Sequence, residues 1–340
     1  MANEALQWLE RMQNAVQTLN YDISFVVVED NKVHPWHWLH GRYAQAKSEL
    51  EHDVTNDLGK SSNNDMSDDS APIEQNALTH SYSKEYGLLT SLNGPTQQIV
   101  RFNNTITYLG FDTNPYSVKA SIAHSPLPEL LRTDLNHVAN SYQFNMVGKS
   151  RVSGFKAQLI RIIPPDQQRF STWIWLHEET FLPLKSAIVS HKGEVLRQLQ
   201  VTSFNVSPQP DPIIKELALM DQPVETDVIK PQPMDNFTWQ INWVPKGFVP
   251  TKIDKHKLQG SHDMVDYIML SDGLVWFSMY IRDLSNTNQN TVLNTYLTSG
   301  AESYLTELVD GFEVTVIGSL PMATAKKLAK SVSNKSLSTH

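Results

Sequence analysis

Cysteine is absent from all 340 residues, which excludes thiol nucleophiles, thiolate metal sites and disulfide bridges together. A chain this long can bury a sufficient core without covalent staples, so the absence does not fix its compartment. Long apolar runs are also missing: none reaches the roughly 18 residues that a membrane-spanning helix requires. Excess positive charge is missing as well. With 28 Lys and Arg against 36 Asp and Glu, a net charge of −8 and no dense basic cluster, the surface is poorly suited to neutralising a phosphate backbone, and nucleic acid is not an expected partner.

Catalytic signatures are lacking too. His177-Glu178-Glu179-Thr180-Phe181 begins like a zinc-protease helix, but Phe181 stands where the second histidine is needed. Gly59-Lys60-Ser61 resembles the end of a phosphate loop, yet Val54 occupies the earlier glycine position and no strand precedes it. Neither a nucleophile elbow nor a dinucleotide fingerprint occurs. The expectation is a non-enzymatic binding protein with no cofactor.

What remains is an ordinary globular composition, 40% hydrophobic and 19% charged, long enough for two domains. Residues 4–19 carry Leu6, Leu9, Val16 and Leu19 at helical intervals. Residues 21–28 and 33–42 then read as strands about an Asp30-Asn31 turn. Residues 47–76 are polar and aperiodic, and are read as a disordered insertion. Strand signals resume at 98–102 and 105–109 around Asn103-Asn104, and proline introduces a short helix over 126–133. Further strands are predicted at 142–147, 156–163, 170–176, 184–189 and 195–206. Many strands with two or three helices predict a large antiparallel sheet over residues 4–206.

Six prolines (Pro208, Pro210, Pro212, Pro223, Pro231 and Pro233) mark 207–236 as a linker, with a short helix at 213–219. Residues 237–332 then predict a smaller α+β domain. Its hairpins turn at Asp272-Gly273 and Asp310-Gly311, and its last helix, opened by Pro321, runs through Ala325, Leu328, Ala329 and Val332.

His34, His37 and His40 are the densest histidine cluster. Pro35 and the neighbouring indoles favour an extended chain, a tryptophan-rich sheet edge, over a metal site. Aromatic residues are more informative. A curved sheet with few covering helices leaves an apolar cavity, and Phe25, Val27, Phe144, Trp173 and Trp175 are the candidates to line it. Strand parity pairs Phe25 with Val27 and Trp173 with Trp175, without saying which parity faces inward.

Several stretches resemble the RseB/MucB family of periplasmic regulators of the sigma-E envelope-stress response. They include Leu19-Asn20-Tyr21-Asp22-Ile23-Ser24-Phe25, His40-Gly41-Arg42, Leu92-Asn93-Gly94-Pro95 and Leu182-Pro183-Leu184-Lys185. The second half adds Trp243-Val244-Pro245-Lys246-Gly247-Phe248, Ser271-Asp272-Gly273-Leu274 and Thr324-Ala325-Lys326-Lys327-Leu328-Ala329. The resemblance implies a half-open β-barrel like that of the lipoprotein carrier LolA, and a mature, exported form. It also implies that the chain binds the periplasmic segment of the anti-sigma factor RseA, shields it from initiating proteolysis, and is displaced by lipopolysaccharide or a similar amphiphile. A lipid carrier without a signalling role is the alternative, and a homo-oligomer is left open. The insertion is foreign to the family pattern, and Thr96-Gln97 replaces a more basic pair.

If residues 47–76 only decorate the surface, replacing them with a short Gly/Ser linker costs little, because closure entropy grows logarithmically with loop length. Thermal unfolding is expected to show a loss below about 2 kcal/mol; a larger one would show that the segment packs on the core.

Overall fold

The computed structural model describes residues 2–44, 83–110, 114–120, 122–220, 237–257, 264–284 and 294–335. The insertion predicted at 47–76 and the linker beyond Met220 lie outside these residues.

The chain opens with α1 (Ala2–Thr18), whose Ala5, Leu9, Met12 and Val16 fall on one face and are fully buried. A run of antiparallel strands follows: β1 (Asn20–Glu29), β2 (Lys32–Tyr43), β3 (Lys84–Ser91), β4 (Gln98–Phe102), β5 (Thr105–Leu109) and β6 (Tyr116–Lys119). Asp30 and Asn31 both take positive φ, 49° and 57°, as a tight hairpin between twisted strands requires. After the short α2 (Leu135–Ala139) come β7 (Gln143–Val152), β8 (Phe155–Ile163), β9 (Ser171–His177), β10 (Pro183–Val189) and β11 (Val195–Ser207). All eleven strands form one sheet in the order β6-β5-β4-β3-β2-β1-β11-β10-β9-β8-β7.

That sheet curls into a half-open barrel. Ile106 and Tyr108 near one edge and Phe144 and Val152 at the other belong to a single core with α1, Leu130, Leu135 and Val138. A flat sheet of this width could not bring its margins to the same cluster. Strand alternation supplies the lining: Tyr21, Ile23, Phe25 and Val27 of β1 all face the core. The opposite face is covered locally by α3 (Pro212–Leu219), which starts at the Asp211 cap and packs Ile214 and Leu217 on Leu39, Tyr86, Val100 and Phe102.

The second unit pairs β12 (Trp239–Ile241) with a terminal strand and builds a six-stranded sheet. Its strands are β13 (Val249–Lys257), β14 (Met264–Ser271), β15 (Trp276–Asp283), β16 (Thr295–Ser299), β17 (Glu302–Val309) and β18 (Phe312–Gly318), in the order β13-β14-β15-β18-β17-β16. The last helix, α4 (Met322–Lys330), buries Ala325, Leu328 and Ala329 over this sheet. The chain is thus an α+β protein, mostly β, with a large antiparallel half-barrel followed by a smaller sheet.

Three local expectations are corrected. The helix predicted at 126–133 is a single 3-10 turn, Glu129–Leu131. The α-helix begins only where Asp134 accepts a hydrogen bond from the Asn136 N–H. Val332 does not extend α4: it lies in β19 (Val332–Asn334), opposite Ile241. β2, with Trp36 and Trp38, is no sheet edge, because β1 and β3 pair on its two sides.

The two units meet at a buried ion pair. Arg169, before β9, donates to Asp272 Oδ2 at 2.8 Å, and both side chains are fully buried. Tyr142 Oη donates to the same oxygen at 2.6 Å, and Arg169 also donates to the Lys246 carbonyl (2.8 Å) and to Asp166 Oδ2 (2.8 Å). Asp272 Oδ1 accepts the Leu274 and Val275 amides, at 3.0 and 2.8 Å. One carboxylate therefore shapes its own hairpin and joins the domains. Close approach here requires glycine. A Cβ on Gly247 would collide with Ser141, and one on Gly273 would meet Thr133 Oγ1 at 2.7 Å; both glycines have φ above +90°.

Removing one partner of such a pair leaves an uncompensated buried charge, which costs about 3–5 kcal/mol. Asp272→Ala is expected to lose stability on that scale in urea unfolding, and a loss below about 1 kcal/mol would mean that water reaches Arg169 there.

Candidate functional site

A cleft of about 140 Å³ opens between the two units. Leu127, Pro128, Ile188 and Leu199 wall it on the half-barrel side, and Leu274, Val275 and Trp276 on the other. Its titratable groups are Glu29, His124, Glu129, Arg197 and Glu302. Hairpin geometry brings several of them together. Asp30 Oδ1 accepts the Gly300 N–H at 2.6 Å and its carboxylate also accepts the Ser299 hydroxyl, while Glu29 accepts the Ala301 N–H at 3.3 Å. Glu29 also lies 3.7 Å from Arg197. Asp30 is held below its ordinary value by the Ser299 and Gly300 hydrogen bonds, so it remains an acceptor.

Glu129 behaves oppositely. Burial pushes its carboxyl up to about 7, although the Arg197 charge pulls the other way. It sits on the 3-10 turn and faces the cleft, where Glu29, His124, Arg197 and Glu302 are the other titratable groups.

Two further cavities lie deeper in the half-barrel. One, of only about 10 Å³, is lined by Ile23, Phe25, Trp38, Leu131 and Val201, and shares Leu127, Pro128, Ser186 and Leu199 with the cleft. The next, of about 50 Å³, shares Trp38 and Leu127 and continues along Leu89, Ile99 and Ile106. These shared walls make a row of apolar spaces from the cleft into the lumen.

Among the five candidate lining residues, Phe25 faces this lumen. Val27 and Phe144 are buried in the same core but line neither of these two cavities. Trp173 and Trp175 are elsewhere. Alternation along β9 sends Ile174 and Leu176 into the core and turns both indoles to the other face. There Arg161 stands 4.0 Å from the Trp173 ring and Lys185 4.9 Å from the Trp175 ring. Among the lumen residues that sequence reasoning missed are Trp38, Leu199 and Val201. The register β2-β1-β11 sets Val201 opposite Phe25, Trp38 opposite Ile23 and Leu199 opposite Val27, and only the non-local pairing reveals it. Among the described residues no group of three metal-ligating side chains converges: His37 bonds Asp22 at 2.7 Å, and His40 bonds the Leu19 carbonyl at 2.7 Å and Glu85 at 3.1 Å.

Fold and cleft define a chain of two β-sheet units with an amphipathic groove between them. The chain belongs to the MucB/RseB family: the model of the family's N-terminal domain matches residues 4–54 and 70–232, and that of its C-terminal domain matches residues 233–333. The sigma-E factor regulatory protein RseB of Salmonella typhimurium is 26% identical over 325 residues, covering 95% of this chain and 89% of the relative. The sigma factor AlgU regulatory protein MucB of Pseudomonas aeruginosa is 27% identical over 248 residues, covering 72% of this chain and 75% of the relative. The solved complex of Pseudomonas aeruginosa MucA and MucB has the same fold, with a TM-score of 0.68 at 22% identity, covering 97% of this chain and 99% of that one.

Because Glu129 titrates near 7 in the folded protein against an ordinary 4.5, the native state holds this proton more tightly than the unfolded chain does. Stability therefore falls as pH rises through that window. Glu129→Gln is expected to be more stable than the parent in guanidinium melts at about pH 8 and equal to it at about pH 4.5; the same difference at both pH values would absolve the carboxylate.

Proposed function

We propose that the chain is a periplasmic regulatory protein that holds the periplasmic segment of a transmembrane anti-sigma factor of the RseA kind. Bound, it shields that segment from initiating proteolysis; lipopolysaccharide or a similar amphiphile loosens the grip. A large domain over 4–206 and a small one over 237–332, joined through 207–236, carry the two halves of the site.

One observation carries the reading: the main cleft has walls from both domains and adjoins an apolar lumen. A polypeptide seated in the cleft and an amphiphile entering the lumen would compete for shared walls at Leu127, Pro128 and Leu199. Family membership supports the regulatory role, and the solved relatives include MucB in complex with MucA(peri). The alternative, a lipid carrier without signalling, would use the lumen alone and leaves the small domain's wall of the cleft unexplained.

Linkage makes the antagonism reciprocal, and a coupling of about 1–3 kcal/mol weakens either ligand about 5- to 150-fold. Calorimetric titration with the cognate anti-sigma periplasmic segment is expected to show binding that weakens within that range when lipopolysaccharide fragments saturate the protein. Unchanged affinity would leave the carrier reading in front, and no binding under any condition would remove the regulatory one.

A further inference from the structure

We propose that the outer face of the half-barrel carries a separate small-molecule pocket, in which Arg161 and Trp173 take a carboxylate joined to a flat apolar group such as an aromatic ring. The pocket measures about 370 Å³ and lies where β8 and β9 meet the β10–β11 turn. Strand parity is uniform there. Arg161 stands opposite Trp173, Trp173 opposite Ala187, and Ser171 opposite Val189, all on the side of the sheet away from Ile160, Ile162 and Ile174. The space shares no lining residue with the cleft or with the lumen cavities, so the proposal depends on neither.

Charge is the first argument. The chain carries a net charge of −8, yet no Asp or Glu lines this space. The Arg161 guanidinium lies 4.0 Å from the centre of the Trp173 ring, and its Nε–H is buried without an acceptor. An unmatched buried donor is costly, and stacking on an indole leaves the in-plane N–H directions of a guanidinium open to an anion. Carboxylates on the two adjoining turns are committed elsewhere: Asp166 accepts from Arg169 at 2.8 Å, and Glu194 from the Ser190 hydroxyl at 3.3 Å. One guanidinium, with no other Lys or Arg lining the space, matches a monoanion better than a phosphate dianion, and its planar fork suits a carboxylate.

Shape is the second argument. Ile163, Pro164, Pro165 and Val189 join the Trp173 indole as an apolar wall, and the volume falls within the range of small-ligand sites. The rim formed by the β8–β9 loop is built in advance. Its two prolines restrict the backbone. Asp166 accepts the Gln168 N–H at 3.1 Å besides its bond from the buried Arg169, and Thr324 of α4 donates to the Gln168 carbonyl at 2.9 Å. A preformed rim loses little freedom when a ligand enters. Shielding the Trp173 ring is the architectural role open to Arg161, and it accounts for neither the acid-free recess nor the unmatched N–H.

Phenylacetate, its uncharged isostere phenylacetamide and inorganic phosphate are titrated calorimetrically into the full chain, Arg161→Gln and Arg161→Lys. The indole N–H signal of Trp173, assigned through Trp173→Phe, is followed by NMR. Phenylacetate is expected to shift that signal and to bind about tenfold more weakly to Arg161→Gln, with Arg161→Lys between the two because it keeps the charge but not the fork. Phenylacetamide is expected to bind the parent about tenfold more weakly than phenylacetate does. That comparison needs no variant, so it decides the question even where a substitution unsettles the sheet. No shift at Trp173, equal affinity for phenylacetate and phenylacetamide, equal phenylacetate affinity in the parent and a folded Arg161→Gln, or phosphate bound as tightly as phenylacetate overturns the proposal. An anti-sigma segment that shifts the same signal and loses affinity in Arg161→Gln would give this face to a polypeptide and also overturn it.

Discussion

The buried pair of Arg169 and Asp272 is the constraint on which the rest depends. Its partners come from three places: Tyr142 ahead of β7, Asp166 within a loop of the half-barrel, and the Lys246 carbonyl of the small unit. A charge removed from water needs this many acceptors and donors, because an unsatisfied buried ion is among the most costly defects a fold can contain. Meeting that need fixes how β14 and β15 turn against α2 and β9. The cleft is the space left on the other side of that contact, and its far rim is closed by Glu29 and Asp30 gripping residues 299–301. Two polar attachments with an apolar gap between them make a hinge-like seat whose width depends on both.

The half-barrel supplies a different property. With eleven strands and open margins at β6 and β7, it is neither a flat sheet with a solvated face nor a closed barrel. Its interior is filled mainly by α1 and the segment carrying Leu130, Leu131 and Leu135. Where that filling thins, around Trp38 and Leu127, small cavities remain. The lumen is therefore a consequence of covering a very wide sheet with few helices, the same imbalance that is visible in the sequence.

Legibility follows locality. Hairpins with turn residues at positive φ, such as Asp30-Asn31, Asp310-Gly311 and the one turning at Asn103, could be read directly, and so could the buried face of α1. β3 escaped, because Lys84, Gly87 and Ser91 dilute its pattern, and four-residue β6 is too short to show a period. The site was harder. Phe25 lies at the lumen wall, but strand parity gives two faces and no sign, which is why Trp173 and Trp175 are grouped with it although they lie on the other face. Asp272 was legible as a turn residue, yet its role as the partner of Arg169, 103 positions earlier, belongs to tertiary pairing and leaves no local mark. The family resemblance rests on the order of the motifs, which periodicity and composition do not contain.

The placement of the indoles has a spectroscopic consequence. Trp38 stands at the lumen wall, Trp276 at the cleft with the His124 ring 5.9 Å away, and Trp173 and Trp175 on the outer face beneath cations. Steady-state emission is the sum over eight indoles, with Trp8 and Trp36 against the large core and Trp239 and Trp243 in the small unit, so occupation of the interior would change only part of the signal. With every indole except Trp38 and Trp276 replaced by phenylalanine, the residual fluorescence would come from the lumen wall and the domain junction, and a spectral shift could be resolved into entry at one or opening at the other.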